Sequence, residues 1–125
     1  MANFLVYEGP IVAKPRMTRR DKFLIPPRKC VASYWAFKNL LNFAANKRGF
    51  TLGESFYINF EIGMPESWSE KKKKKMLGQP HKSRPDLDNF LKGICDCLLA
   101  EDSGVWKVTA EKVWAAKSRI LIQNL

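Results

Sequence analysis

The chain has 125 residues, 46% of them hydrophobic and 12% aromatic, and a formal net charge of +10. That is enough apolar material for one core and too little chain for two, so a single domain over residues 1–125 is expected and a disordered tail is not. The positive excess implies a polyanionic partner, nucleic acid ahead of membrane.

No stretch approaches the ~20 apolar residues of a membrane span, and the opening residues lack the basic segment of a secretion signal, so a cytoplasmic protein without membrane contact is expected. The three cysteines, Cys30, Cys95 and Cys97, are odd in number and form no Cys-x-x-Cys. Reduced thiols are the expectation, and with His81 the only histidine the chain lacks the ligands of a Cys/His zinc site.

In chain order, Phe4 to Tyr7 reads as a short strand closed by Gly9-Pro10. Residues 13 to 29 then set Lys14, Arg16, Arg19, Arg20, Lys22, Arg28 and Lys29 against one acid, Asp21. Pro15, Pro26 and Pro27 keep the stretch from forming one helix, and it is too charged for core. It is either a solvated loop or an arm that grips phosphates.

Ser33 can cap a helix running to about Arg48, with Tyr34, Phe37, Leu40, Leu41 and Ala44 on one face and Gly49 as terminator. Residues 55 to 62 alternate cleanly: Phe56, Ile58, Phe60 and Ile62 on one face, Tyr57, Asn59 and Glu61 on the other, a strand with one core face. Met64-Pro65-Glu66-Ser67 then caps a short polar helix containing Lys71 to Lys75. Such a lysine run is either a solvated projection or, beside an acidic metal site on a DNA enzyme, a contact to a second duplex. The linker Gly78 to Arg84 brings His81 within chain reach of the acids that follow, although a lone loop histidine is ordinarily solvated.

Residues 84 to 102 form the focus of the chain. At 100° per residue Leu87, Phe90, Leu91, Ile94, Cys97 and Leu98 share one apolar face, while Asp88, Lys92 and Asp96 stack on another. Asp86 and Asp88, two apart, would diverge on a continuous helix. Pro85 favours a helix entrance, which makes Asp86 an extended N-cap with Asn89 three residues on. From there the two carboxylates can converge on one hard cation. The plain alternative is an N-cap and a surface acid without metal.

Val105 to Trp114 and Arg119 to Gln123 read as two strands joined by a short link, for which antiparallel pairing is the economical connection. The element order β-α-β-α-α-β-β predicts an α+β two-layer domain, a small mixed or antiparallel sheet with helices packed on it.

Pro-Asp-Leu-Asp-Asn-Phe-Leu-Lys at 85–92, followed by the acidic pair Glu101-Asp102 and an apolar strand carrying Lys112, resembles the RusA family of Holliday-junction resolvases. That family has an Asp-x-Asp-Asn-x-x-Lys signature opening a helix and a third acid beyond it. The signature falls on Asp86, Asp88, Asn89 and Lys92, and the third acid on Asp102, with Glu101 a competing assignment. Length, basic arm and element order are also similar to phage-borne members.

The resemblance implies a RusA-like fold and a metal-dependent endodeoxyribonuclease that resolves four-way junctions in recombination and repair by paired, symmetric hydrolysis. Asp86, Asp88 and Asp102 would hold Mg²⁺, with Mn²⁺ as substitute, and Lys92 would stabilise charge at the phosphate. An ordinary i,i+4 salt bridge from Lys92 to Asp88 is the bland alternative. Implied DNA contacts are Lys14, Arg16, Arg19, Arg20, Lys22, Lys73, Lys82, Arg84 and Lys112. Two cuts need two sites, hence a homodimer joined through the Trp-rich late strands or the first helix. Rival readings are a DNA-binding module without catalysis and a nuclease for other branched DNA.

Overall fold

The computed structural model describes residues 2–125; Met1, the first residue of the expected domain, lies outside them. Four strands, β1 (Phe4–Glu8), β2 (Ser55–Gly63), β3 (Lys107–Ala115) and β4 (Arg119–Asn124), form one mixed sheet in the order β1-β4-β2-β3. Alternation on β2 decides which face is core: Phe56, Ile58 and Phe60 are fully buried. In register with them stand Ile122 and Ile120 on β4 and Val108, Ala110 and Lys112 on β3.

Three helices, α1 (Lys29–Arg48), α2 (Glu70–Met76) and α3 (Leu87–Leu98), complete the α+β domain, with a 3₁₀ turn at Arg19–Lys22. The expected alternation of elements is present, and the sheet is of the mixed kind.

The expected hairpin between the last two strands does not form. β2 lies between β3 and β4, parallel to the first and antiparallel to the second. The link Ala116-Lys117-Ser118 has only to cross one strand end, about 10 Å, and four chain steps of ~3.3 Å suffice. It passes over Gly63, whose N–H donates to Ser118 Oγ at 3.0 Å. A Cβ at position 63 would meet that oxygen at 3.1 Å and the Ser118 nitrogen at 3.3 Å, so glycine accommodates the crossing.

Helix α1 begins at Lys29, with Arg28 as the N-cap residue after the two prolines, and Ser33 lies exposed inside it instead of capping it. Gly49 ends it in the left-handed conformation, φ 70°, as expected. Its core face is Val31, Tyr34, Phe37, Leu41 and Ala45; Leu40 is half exposed and belongs to another side. Ser69, two residues beyond the expected cap, accepts the N–H of Lys72 and opens α2.

Helix α3 buries Phe90, Ile94 and Cys97 as its spacing requires, and Phe90 stacks on Phe60 with ring centroids 5.1 Å apart. The Tyr34 hydroxyl on α1 donates to the Gly93 carbonyl at 3.0 Å, tying the two helices over the sheet.

Candidate active site

The backbone before α3 is held to the free edge of β3. Gly78 N–H donates to Trp114 O, Trp114 N–H to Gln79 O and His81 N–H to Lys112 O, all within 3.0 Å. One residue pair further, the Lys112 ammonium donates to the Ser83 and Pro85 carbonyls at 2.6 and 2.7 Å. This lysine interrupts the apolar side of β3, and its charge is spent on the strap that leads into the helix.

Asp86 follows in extended conformation, φ −65° and ψ 151°, as the N-cap residue, and its carbonyl accepts from Phe90 N–H. Its side chain makes no capping hydrogen bond. Asp88 sits in the first turn, where the helix dipole favours negative charge. Both residues are exposed, and neither enters an ion pair among the described residues. The two carboxylates therefore share the helix entrance free of protein cations, Lys92 included.

His81 is buried, not solvated. Its ring lies 4.3 Å from that of Trp114, which also packs on Trp68 at 4.8 Å. Burial, and secondarily the positive Lys112, push its pKa below the ordinary value. The Nδ1 atom finds no hydrogen-bond partner among the described residues. The imidazole is a wedge between strap and sheet.

Asp102, the residue expected as third acid, stands elsewhere, as does its competitor Glu101. Twelve residues make α3 about 18 Å long, and Asp102 follows its far end, in the turn where Val105 N–H donates to Asp102 O and Trp106 N–H to Glu54 O. Glu101 and Asp102 are both exposed, but they are used differently. Glu101 Oε1 accepts from Ser103 N–H at 3.0 Å, closing its own turn. On α3, burial first, and then the negative charges of Asp102 and Asp96, push the Cys95 thiol up to about 11. Among the described residues no three carboxylate, imidazole or thiol side chains form a group able to hold a metal ion.

The basic arm packs across α3. Lys14 Nζ pairs with Asp96 Oδ2 at 2.5 Å, and the Lys14 backbone runs past Gly93, where a Cβ would stand 3.4 Å from the Lys14 backbone nitrogen. A cleft of about 460 Å³ opens between arm and helix, lined by Lys14, Pro15, Arg16, Met17, Asn89 and Lys92. The loop beyond is clasped by its one acid. Asp21, buried, accepts from Arg28 Nε and Nη2 and from Thr18 N–H, and Arg28 also donates to Arg16 O. The Arg28 contact, with help from Thr18, holds the Asp21 carboxyl far below the usual carboxylate range. Arg19, Arg20 and Lys22 are left exposed on the 3₁₀ turn.

Residues 8–123 match the family model described as endodeoxyribonuclease RusA. The chain belongs to the RusA family. No curated protein matches it. Membership makes the chain an endodeoxyribonuclease of junction DNA, and the matched span contains the signature helix, the arm and the acidic pair. No helix among the described residues is long and apolar enough to cross a membrane.

For the hard divalent ion that the RusA family implies, Asp86 and Asp88 offer the right donors, two unpaired carboxylates at one helix entrance, with room for water ligands. Asp102 is not part of that group. The remaining cations differ in availability. Lys82 and Arg84 are exposed on the strap beside Asp86. In the lysine run, Lys73 lies 3.9 Å from Glu70 and Lys72 sits over the Trp68 ring, so Lys73, the residue expected to touch DNA, is more engaged than the exposed Lys71, Lys74 and Lys75.

Proposed function

We propose that this RusA-family protein resolves four-way DNA junctions by metal-assisted phosphodiester hydrolysis at the entrance of α3. One observation carries the reading: the arm residues Lys14 and Arg16 and the signature residues Asn89 and Lys92 line a single cleft, beside two carboxylates that enter no ion pair among the described residues. An Mg²⁺ or Mn²⁺ ion held by Asp86 and Asp88 would polarise the scissile phosphate and lower the pKa of the attacking water.

The chain's own groups do the rest. Lys92 offers its ammonium to charge accumulating on the phosphate, and Asn89 an amide donor one turn into the helix. Arg16, Arg19 and Arg20 hold flanking phosphates and offset the repulsion between DNA and two aspartates. Lys112 keeps the strap, and so Asp86, in place. Of the acidic pair, Asp102 is kept as the family's third acid over Glu101, whose carboxylate already accepts from Ser103 N–H, but past the far end of α3 it would not share the ion of Asp86 and Asp88 within one chain. Symmetric cuts require two sites related by a two-fold axis, and hence a homodimer.

The test uses labelled four-way junction, fork and plain duplex, each with Mg²⁺ and with EDTA. Metal-dependent cleavage confined to the junction is expected, lost in Asp86→Asn and Asp88→Asn. Equal cutting of the fork would widen the substrate class. Undiminished cleavage in both variants would refute the carboxylate mechanism, and binding without cleavage by the wild type would leave a DNA-binding module.

A further inference from the structure

The turn that closes the basic arm is apolar at its tip. Phe23 is 80% exposed and Ile25 95%, the two most exposed large hydrophobic side chains among the described residues. Leu24 between them is half-buried, so the pair projects from one short segment. A scattered exposed hydrophobe is ordinary, but these two are held in place. Phe23 N–H donates to Arg20 O at 3.0 Å, and Pro26 and Pro27 stiffen the chain behind them. The Asp21–Arg28 clasp ties the two ends of the turn together. Neither side chain packs against the core, so the fold itself makes no use of them.

We propose that Phe23 and Ile25 form a wedge that enters the base stack at a DNA branch point and so sets the preference for branched over continuous duplex. The surroundings of the tip name its partner. Arg19, Arg20 and Lys22 precede it and Lys29 follows, all exposed and outside the ion pairs of the described residues. An apolar point inside a cationic rim fits a polyanion that hides flat apolar faces within a charged shell, which describes stacked bases between phosphates.

A lipid surface offers similar charges, but two side chains on a short turn present far less apolar area than a helix face laid into a bilayer. The tip is also tied to the cleft. Arg28 Nη2 donates to the carbonyl of Arg16, and Arg16 lines that cleft with Asn89 and Lys92. Selectivity follows from the cost of insertion. A continuous duplex must break a stacked step to admit the wedge, whereas at a branch point the stack is already interrupted.

The proposal rests on the junction-resolving reading for its substrate, and binding measured in EDTA separates it from the chemistry. Labelled junction and duplex of matching sequence are titrated with the wild type and with the double variant Phe23→Ala, Ile25→Ala. The double variant should lose ~10-fold or more in junction affinity and keep its duplex affinity. Its salt slope should be unchanged, since no cation is removed. The thermal midpoint should also hold, because both side chains stand in solvent. Phe23→Trp should retain the preference. A fluorescent adenine analogue beside the branch point should brighten on binding the wild type, as its neighbour is unstacked, and stay dim with the double variant.

Unchanged junction affinity in the double variant, with metal-dependent cleavage intact, would overturn the wedge and spare the resolvase reading. Equal losses on junction and duplex would overturn it too, by making the contact indifferent to branching. So would an analogue that stays dim with the wild type. Phosphatidylserine vesicles that bind the wild type but not the double variant, with junction binding unaltered, would reassign the tip to a membrane surface. A wild type that binds junction and duplex alike, and cuts both with Mg²⁺, would overturn wedge and junction reading together.

Discussion

Two aspartates two positions apart can work together only because the backbone changes state between them. Asp86 is extended and Asp88 helical, so side chains that a continuous helix would splay apart leave from one entrance. If the pair holds the cation as proposed, replacing either by Asn removes a ligand, and cleavage at saturating Mg²⁺ should fall at least ~100-fold. Metal-free junction binding should hold or tighten, because a charge that repels phosphate is gone. Gel-shift and cleavage assays on the same preparations check both halves. Asp102→Asn should cost far more activity than Glu101→Gln; the reverse ranking would move the third acid to Glu101. Lys112 acts at one remove. Lys112→Met leaves two strap carbonyls without their charged donor and should lower stability by ~1–3 kcal/mol. It should also reduce turnover, since Asp86 follows directly on the strap.

At the scale of elements, the arm and α3 line one cleft. The arm is ordered by the Asp21–Arg28 clasp, so its exposed arginines are presented from a fixed loop. If Arg16, Arg19 and Arg20 each neutralise a phosphate, the triple Ala variant should bind every DNA sequence more weakly. The slope of log affinity against log salt should flatten by about 0.9 for each phosphate no longer neutralised. An unchanged slope would return residues 13 to 29 to a solvated loop. Asp21→Ala should loosen the same loop and weaken DNA binding, even though it makes the protein more positive. That outcome runs opposite to simple electrostatics, and titration of labelled DNA at fixed salt measures it.

For the molecule as a whole, the buried imidazole makes stability depend on pH. His81 has a lowered pKa in the fold, so the folded state disfavours the charged ring. Its contribution is fully present above the ordinary histidine value of about 6.5 and is lost as pH falls from there toward the folded pKa. Denaturant midpoints should therefore drop between pH 7.5 and 5.5. His81→Phe, which keeps an aromatic beside Trp114 without a proton site, should flatten that drop; an equally steep profile in the variant would assign it to other groups.

What the residues determined by themselves was local. The 3.6-residue spacing of Leu87, Phe90, Leu91, Ile94 and Leu98, the alternation of β2, Gly49 as a helix stop and Pro85 before an extended Asp86 are all short-range consequences of backbone geometry. They are legible without a fold. The class of chemistry was not, because an Asp-x-Asp pair beside a lysine reads equally as an N-cap, a surface acid and an i,i+4 salt bridge, and only the resemblance of residues 85–92 to the RusA signature pointed to phosphodiester hydrolysis. Tertiary structure decided whatever depends on partners distant in sequence. It put β2 between β3 and β4, because hydrogen-bond pairing over the sheet outweighs the economy of a short link. It turned Lys112 onto Ser83 and Pro85, sank His81 against Trp114, and gave Asp21 the Arg28 guanidinium. It also set Asp102 at the far end of α3 from Asp86, because a twelve-residue helix separates them, and left Leu40 outside the core, because α1 has two apolar stripes and the sheet covers one.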